Sequence, residues 1–322
     1  MHNFFYAADK NYNYQLYISI LSLLDKVSEK INIYVLHKDP DTFLFLEEKI
    51  LKESMLNKLE ISKFDDSINF DDYPSLENSH VSEVTYYRFF MDKFLTEEVE
   101  FVTYLDADIV CINDPIKELD KITNDLKVFD LPIAGRTIGL RMERNKLNQS
   151  SERLNKIKML NDRYFSAGVL TINYKQWVNN NIFNKLIDLS KELENHAEYH
   201  DQDVLNSHFD SNYLELNEFM NLRVGKNANY FNNKYIYKHA IFLHYEGNWK
   251  PWTIKGILKE SSYFYTEYFR TLNIGSYHIT HNRKWNSFKD VINGIFSKRL
   301  YSLDKPFKFL QEAISSFFTR NN

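Results

Sequence analysis

The chain has 322 residues, 43% of them hydrophobic and 26% charged, so it is long enough to bury a sizeable core. Its formal net charge of -4 gives it no general affinity for nucleic acid. The single cysteine, Cys111, excludes an internal disulfide and fits a reducing compartment. The start of the chain lacks the charged segment of a signal peptide, and the longest apolar stretch, residues 16–24, is too short to cross a bilayer. We therefore expect a cytoplasmic globular protein that does not bind nucleic acid.

The first part of the chain alternates strand patterns with helix patterns. Strands are predicted over residues 4–8, 31–37, 59–64 and 101–105. Apolar residues recur at helical spacing between them, in residues 16–27, 43–55 and 82–95. This alternation predicts an α/β fold in which helices cross over between parallel strands.

Two carboxylates, Asp106 and Asp108, follow the predicted strand 101–105 directly. Open α/β sheets bind their ligands at the carboxyl ends of strands. Ionised carboxylates at the end of a buried strand need compensating positive charge, and a divalent cation supplies it. The pair alone is weak evidence, because aspartates are also common in solvated turns and as caps. The sequence therefore offers a candidate metal site whose other ligands must come from elsewhere in the chain.

A second segment suited to ligand binding starts at His244, which ends a short apolar strand pattern and precedes Gly247 and Lys250. An imidazole beside two carboxylates makes a mixed nitrogen and oxygen site, which suits Mn²⁺ better than Mg²⁺. Gly247 lets the backbone approach a ligand closely, and Lys250 offers a point charge to a phosphate. Taken alone, the segment also fits a strand-end histidine, a turn glycine and a surface lysine.

Two further clusters contain polar or small residues. Asp201 and Gln202 precede a predicted short helix, and either Asp201 or Asp203 fits the role of its N-cap, although both cannot cap one helix. Residues 166–168, a Ser-Ala-Gly run, lead into a predicted buried strand. Small residues at such a place are expected where a ligand presses on the backbone.

Together, these motifs resemble glycosyltransferase family 8. The resemblance rests on six motifs in the family's order: residues 5–12, 82–89, 106–108, 166–168, 201–203 and 244–250. The family comprises retaining nucleotide-sugar transferases, among them bacterial lipooligosaccharide galactosyltransferases and glycogenin. The resemblance spans most of the chain and implies a GT-A fold, with a mixed, mainly parallel central sheet flanked by helices and a helical C-terminal tail.

The resemblance also implies an activity and a set of site residues. The activity would be a hexosyl transfer from a UDP-sugar that depends on Mn²⁺, with Mg²⁺ as the alternative. The metal ligands would be Asp106, Asp108 and His244, and the catalytic residues would be Gln202, Asp201, Arg88 and Lys250. The residues expected to hold the donor and the metal are Ala7, Ala8, Asp9, Asn11, Arg88, Asp106, Ala107, Ser166, Ala167, Gly168, Asp201, Gln202, His244, Gly247 and Lys250.

The chain departs from the family pattern in two places. Ser166 stands where the family usually has asparagine, so a sugar-contacting amide has become a hydroxyl with less reach, and the donor stays open between UDP-glucose and UDP-galactose. After the predicted strand at residues 132–135, bacterial members commonly place an aspartate near the acceptor, whereas Arg136 and its neighbours offer none. The acceptor is therefore expected only as a glycan or a glycosylated protein.

Two segments lie outside these motifs. Residues 138–163 are charged and nearly devoid of aromatic residues, which predicts a solvated helix or an active-site lid. Residues 283–322 carry eight basic and three acidic side chains interleaved with aromatic residues. We predict a catalytic domain over residues 1–282 and a helical extension over residues 283–322. Such basic aromatic helices suit peripheral binding at the inner face of the membrane, or packing against the catalytic domain or a partner chain.

Two other functions fit parts of the pattern. A sugar-nucleotidyltransferase acts on similar molecules but requires a glycine-rich loop after the first strand, where this chain has Asp9, Lys10 and Asn11. A catalytically weak module that binds sugar nucleotides or glycans would keep the fold. The presence of all three expected metal ligands argues against such a module, and donor hydrolysis by the purified protein in Mn²⁺ would discriminate.

Overall fold

A computed structural model describes residues 1–64, 83–138, 147–225, 231–281 and 283–318. Its strands are, in chain order, β1 (Asn3–Ala8), β2 (Ile31–His37), β3 (Leu56–Lys63), β4 (Phe101–Leu105), β5 (Ile109–Cys111), β6 (Ile133–Thr137), β7 (Phe165–Asn173), β8 (Leu214–Glu215), β9 (Leu222–Val224) and β10 (Phe242–Tyr245). A central sheet has the order β3-β2-β1-β4-β7-β6-β8. Within it, β7 is antiparallel to both neighbours, and the other pairs are parallel. The expected mixed, mainly parallel sheet is therefore confirmed.

A second, smaller sheet has the strand order β5-β10-β9. In it, β10 is antiparallel to β5 and parallel to β9, and His244 of β10 lies opposite Ile109 of β5. The backbone N–H of Tyr245 donates to the carbonyl of Asp108 at 3.2 Å. This small sheet places His244 beside the turn that carries Asp106 and Asp108.

The helices cover the two faces of the central sheet and the C-terminal part of the chain. They are α1 (Asn13–Lys26), α2 (Leu44–Ile50), α3 (Met91–Phe94), α4 (Ile116–Val128), α5 (Leu147–Lys156), α6 (Tyr174–Asn179), α7 (Ile182–Glu192), α8 (His200–Phe209), α9 (Asn233–His239), α10 (Ile254–Ile257), α11 (Tyr263–Arg270), α12 (Lys284–Phe296) and α13 (Pro306–Phe318). Alternate residues of β1 enter different cores, because successive strand side chains point to opposite faces. Phe4 and Tyr6 join the core that contains α1, whereas Phe5 and Ala7 join the core that contains α7 and α8.

The predicted strands at residues 31–37 and 101–105 have the expected bounds. The third strand begins earlier than predicted, at Leu56 rather than Leu59, because Leu56 pairs with Ile31. As an edge strand, β3 exposes Asn57 and Lys58, so its first residues lack the apolar pattern of a core strand.

The segment predicted as a helix over residues 82–95 is helical. It is a 3₁₀-helix over Glu83–Phe90 followed by the short α3, and residue 82 lies outside the described residues. Residues 86–90 are all buried, so this segment has no solvent-facing side of the kind an amphipathic α-helix presents. The side chain of Arg88 bonds back to the carbonyl of Thr85, with its Nε donating at 3.2 Å.

Two other predictions need correction, and the charged segment contains a helix, as one of its two predictions expected. Residues 166–168 lie within β7 rather than before it. Asp201 and Gln202 lie in the first turn of α8, whose N-cap position is Tyr199, so neither aspartate is the N-cap. Instead, Asp203 Oδ2 accepts from the backbone N–H of Tyr199 at 2.8 Å. The charged segment at 138–163 contains α5, and its residues 139–146 lie outside the described part of the chain.

The C-terminal helices α12 and α13 pack with their inner faces against α10. A buried hydrophobic cluster joins α10 to the C-terminal helices. Its members are Ile254, Ile257, Tyr277, Val291, Leu300, Phe309 and Ala313. Glu312 accepts hydrogen bonds from the backbone N–H groups of Ser276 at 2.9 Å and Tyr277 at 3.0 Å. The outer faces leave aromatic side chains exposed, including Trp285, Phe296, Phe307 and Phe318. Of the helices in the described residues, none is long and apolar enough to span a membrane.

Replacing Phe309 with alanine should lower the free energy of unfolding by about 3–5 kcal/mol, because it removes a ring that is buried completely. Phe307→Ala is the matched control on the same helix. The Phe307 ring is 77% exposed, and its removal should change the free energy of unfolding by less than about 0.5 kcal/mol. Denaturant unfolding followed by circular dichroism measures both. Equal losses would contradict the packing of α13 described here.

Candidate active site

A cleft of about 400 Å³ opens where β4 ends. The turn after β4, the first residues of β7, the first turn of α8 and the loop after β10 form its walls. It brings together most of the residues selected from the sequence: Arg88, Asp106, Asp108, Ser166, Ala167, Gly168, Asp201, Gln202, His244, Gly247 and Lys250.

Four residues of the first strand and its loop, and Ala107, do not line this cleft. Ala7 and Ala8 end β1, and Asp9 Oδ1 accepts from the backbone N–H of Asn11 at 2.8 Å, which caps the turn that follows β1. The same turn reaches the cleft through Tyr12, whose ring centroid lies 5.6 Å from Lys250 Nζ. Sequence reasoning did not select Tyr12 as a site residue.

Asp106 is held by hydrogen bonds to one of its two carboxylate oxygens. Tyr104 Oη donates to Asp106 Oδ1 at 2.8 Å, and Arg88 Nη2 donates to the same oxygen at 2.9 Å. The backbone N–H of Asp106 donates to the carbonyl of Gly168 at 2.9 Å. The second oxygen, Oδ2, lies 3.9 Å from His244 Nε2.

Asp108 is buried and lies between two nitrogen groups. Its Oδ2 accepts from Lys250 Nζ at 2.5 Å, and its Oδ1 lies 3.4 Å from His244 Nε2. Burial alone would raise the pKa of the Asp108 carboxyl, but Lys250 and His244 hold that pKa below its usual value. Asp108 is therefore a carboxylate at neutral pH.

The donor set of this cleft fits a divalent cation. One ligand atom from each of Asp106, Asp108 and His244 lies within 4.8 Å of the other two. Within the described part of the chain, the buried Asp108 Oδ1 has no hydrogen-bond partner, and a bound cation would satisfy it. Two carboxylates and one imidazole make a mixed oxygen and nitrogen set of the kind that suits Mn²⁺.

His244 is held by one polar contact and one close approach to the backbone. Its Nδ1 lies 3.0 Å from Asn221 Oδ1, and both residues are buried. A Cβ added at Gly168 would lie only 2.3 Å from His244 Cε1 and 3.0 Å from Asp106 Oδ2. Gly168 is therefore needed because the imidazole approaches the backbone of β7 directly.

Lys250 lies in a loop that packs tightly against α10. Its Nζ lies 5.6 Å from the ring centroid of Trp252 and 5.6 Å from that of Tyr12. Burial alone would lower the pKa of the Lys250 amine, but Asp108 raises this pKa above its usual value, so the amine stays charged. Gly247 has a φ of +62°, a backbone conformation that favours glycine.

Arg88 crosses the cleft and contacts several of the selected residues. Its Nη1 donates to the carbonyl of Ala167 at 2.6 Å, and its Nε lies 2.9 Å from Asp201 Oδ2. The guanidinium also stacks over Tyr104, 4.3 Å from the ring centroid. Burial alone would lower the pKa of Arg88, but Asp106 and Asp201 raise it, which keeps the guanidinium charged.

Gln202 has a fixed orientation because both ends of its amide are hydrogen-bonded. Its Oε1 accepts from the backbone N–H of Ala167, and its Nε2 donates to Tyr164 Oη, each at 3.0 Å. Tyr164 in turn donates to Asp203 Oδ1 at 2.6 Å, and Arg153 Nη2 donates to the same oxygen at 2.7 Å. Asp203 is completely buried and holds Tyr164, which in turn holds the Gln202 amide.

Asp201 and His200 are the other polar side chains of α8 that line the cleft. Burial raises the pKa of the Asp201 carboxyl to about 7, against the opposing effect of Arg88. Tyr164, Arg153 and Asn221 were not selected from the sequence. Each acts through a contact with a residue distant in the chain, and no local pattern marks such a contact.

A model of glycosyl transferase family 8 matches residues 3–256, which is most of the chain. The chain belongs to this family. The match starts at β1 and includes every residue selected for the site, from Ala7 to Lys250.

Named bacterial glycosyltransferases are among its relatives. Glycosyltransferase GlyE of Streptococcus pneumoniae serotype 4 is 28% identical over 256 residues, covering 77% of this chain and 56% of GlyE. Lipopolysaccharide 1,3-galactosyltransferase of Salmonella typhimurium is 27% identical over 271 residues, covering 81% of this chain and 76% of the relative. The chain thus spans little more than half the length of GlyE.

The structure of galactosyltransferase LgtC with donor and acceptor sugar analogs is also similar. It superposes with a TM-score of 0.65 at 20% sequence identity, covering 88% of this chain and 99% of LgtC. This likeness shows that the two proteins share a fold and confirms the GT-A fold expected from the sequence.

Gly168→Ala should displace the His244 ring and weaken Mn²⁺ binding by at least about 10-fold, because the new methyl group would overlap the imidazole. Gly225→Ala is the matched control. There the added Cβ would lie 3.5 Å from the carbonyl oxygen of Glu246, an ordinary contact. Free Mn²⁺ measured by electron paramagnetic resonance checks both. Normal Mn²⁺ binding by Gly168→Ala would contradict the described approach of His244 to β7.

Proposed function

We propose that this protein is a metal-dependent, retaining hexosyltransferase that moves glucose or galactose from a UDP-sugar to a glycan or a glycosylated protein. The observation that carries the proposal is that Asp106, Asp108 and His244 share one cleft with two cations, the buried Arg88 and the half-buried Lys250. The names of the relatives, which include a galactosyltransferase acting on lipopolysaccharide, agree with it.

In this proposal, Asp106, Asp108 and His244 hold Mn²⁺, or Mg²⁺ as the alternative. The cation would offset the negative charge of the UDP diphosphate and make UDP a better leaving group. Arg88 and Lys250 add fixed positive charge within the same cleft, where the β-phosphate becomes more negative as it leaves. Charges that are already in place before the reaction are commonly the largest contribution to catalysis.

The donor sugar would lie against β7 and the first turn of α8. Ser166, Ala167 and Gly168 offer backbone and a hydroxyl to it, and Asp201 orients its hydroxyl groups. Gln202 lies at the reactive face, where its amide supports positive charge on the sugar. At the other end of the donor, Ala7, Ala8, Asp9 and Asn11 would bind the uridine.

We propose front-face displacement rather than a double displacement. The amide of Gln202 is a poor nucleophile, and its oxygen already accepts from Ala167. Asp203 is not available as a nucleophile, because it is completely buried and its oxygens accept hydrogen bonds from Tyr164, Arg153 and Tyr199. The acceptor hydroxyl oxygen forms the new bond to the anomeric carbon as the bond to the β-phosphate breaks. The attack comes from the face that the phosphate leaves, so the configuration is retained, and the proton of the hydroxyl passes to the departing phosphate.

Purified protein with Mn²⁺ should release UDP from UDP-glucose or UDP-galactose, and Asp108→Asn should reduce the rate at least ~100-fold, since it removes charge from the metal site. Asp120→Asn, a change at a carboxylate that is 70% exposed, is the control. A coupled assay of UDP release measures all three proteins. Near-normal turnover in Asp108→Asn would refute the metal assignment. Donor binding without turnover in the unaltered protein would favour a binding module.

We also propose a catalytic domain over residues 1–282 and a helical extension over residues 283–322 that binds the inner face of the membrane, with the protein itself cytoplasmic. The extension exposes basic side chains, including Lys289, Lys298 and Lys308, beside its exposed aromatic rings. Its inner face packs on α10, so only the outer face is available to lipid.

The protein should sediment with vesicles that contain anionic lipid, and added salt should weaken this binding, because each engaged Lys or Arg contributes on the order of 1 kcal/mol. The double variant Phe307→Ser and Phe318→Ser should bind less, without loss of thermal stability, because both rings are exposed, at 77% and 85%. Neutral vesicles are the control. If the unaltered protein ignores anionic vesicles at low salt, the membrane proposal is wrong.

A further inference from the structure

Asn221 is a completely buried polar residue beside the candidate metal ligands. It ends a 3₁₀ turn over Glu218–Asn221 and leads directly into β9, which pairs with β10. Because Arg223 of β9 lies opposite His244 of β10, the pairing of these strands sets the distance from Asn221 to His244. Arg136 Nη1 also donates to the backbone carbonyl of Asn221, which fixes this residue from the side of β6.

The contact between the two side chains determines which ring nitrogen of His244 carries the hydrogen. Asn221 Oδ1 lies 3.0 Å from His244 Nδ1, and a carboxamide oxygen can only accept. In the neutral ring, Nδ1 is therefore the protonated nitrogen, and Nε2 keeps its lone pair. Nε2 itself lies 3.4 Å from Asp108 Oδ1 and 3.9 Å from Asp106 Oδ2, so its lone pair is on the side of the two carboxylates.

Two further observations indicate that the oxygen of Asn221 is what this position requires. Asn221 Nδ2 is buried and has no hydrogen-bond partner among the described residues, which is unfavourable and which a leucine of similar size would avoid. Gly168 lies directly against the imidazole, where an added Cβ would be 2.3 Å from Cε1 and 2.7 Å from Nδ1, so the backbone of β7 limits how the ring can turn. The ring is thus held by one hydrogen bond and one steric contact.

We propose that Asn221 is a positioning residue for the metal site: its side-chain oxygen fixes the tautomer and the orientation of His244 so that Nε2 faces a divalent cation. This inference rests on the metal assignment made in the proposed function. Partners of this kind, which accept from the second nitrogen of a ligating histidine, typically change metal affinity about 10- to 100-fold when they are removed.

The test compares Asn221→Leu, which removes the acceptor at similar volume, with Asn221→Asp, which keeps an acceptor oxygen. Mn²⁺ alone is titrated into each protein without nucleotide, and free Mn²⁺ is measured by electron paramagnetic resonance. We expect Asn221→Leu to bind Mn²⁺ about 10- to 100-fold more weakly and Asn221→Asp to restore binding close to the unaltered protein. If near-ultraviolet circular dichroism shows that Asn221→Leu does not fold, Asn221→Ala is used in its place.

The matched control is a second asparagine–histidine pair away from the metal ligands. Asn13 Oδ1 lies 2.9 Å from His37 Nε2, so Asn13→Leu removes the same kind of contact and should leave Mn²⁺ affinity unchanged. Long-range proton–nitrogen spectra of the metal-free protein, with His244 identified by its loss in His244→Gln, report the tautomer directly. The hydrogen should be on Nδ1, and Asn221→Leu should reduce that population.

The outcomes separate this inference from the proposed function. If the unaltered protein does not bind Mn²⁺, the metal assignment fails, while the spectra still decide whether Asn221 sets the tautomer. If Mn²⁺ binds equally well to the unaltered protein and to a folded Asn221→Leu, Asn221 is structural only. A hydrogen on Nε2 in the metal-free protein would also overturn the inference, because the Asn221 amide would then present its nitrogen to His244.

Discussion

The constraint on which the site depends is the presence of two carboxylates at the end of a buried strand. Asp108 is almost completely buried, and a buried charge is strongly unfavourable unless other groups compensate it. Arg88 compensates Asp106, and Lys250 compensates Asp108 at 2.5 Å. His244 lies near both carboxylates. The folding of two distant segments, residues 83–90 and 244–250, onto the end of β4 therefore satisfies an electrostatic requirement that the two aspartates after β4 create.

Close approaches of backbone and side chain fix the position of these groups. The imidazole of His244 lies directly on Gly168, and the helix α10 lies directly on the loop of Lys250. A Cβ added at Gly256 would lie 1.8 Å from the carbonyl oxygen of Lys250, so only glycine fits there. Both glycines make room where a functional side chain or its loop meets the backbone. The geometry of the site is therefore set by packing as well as by charge.

Much of the fold and site could be predicted because their signals are local. The strand at 101–105 and the two aspartates after it form one continuous pattern, and so do His244 and Lys250 after their own strand. Asn221 and Tyr164 could not be predicted, because each matters through a single contact across the fold. The helical spacing at 83–90 predicted a helix but not its 3₁₀ type, and the burial of residues 86–90 depends on tertiary packing that no local pattern shows.

The position of α10 has a consequence for the design of protein fragments. The family match ends at residue 256, inside α10, whereas the side chains that bury Ile254 and Ile257 come from residues 277–313. A fragment cut at the end of the match would expose these two side chains to water. Because α10 lies directly on the loop of Lys250 through Gly256, disturbing α10 would also disturb that loop. The smallest fragment expected to keep Lys250 in place is therefore longer than the sequence similarity indicates.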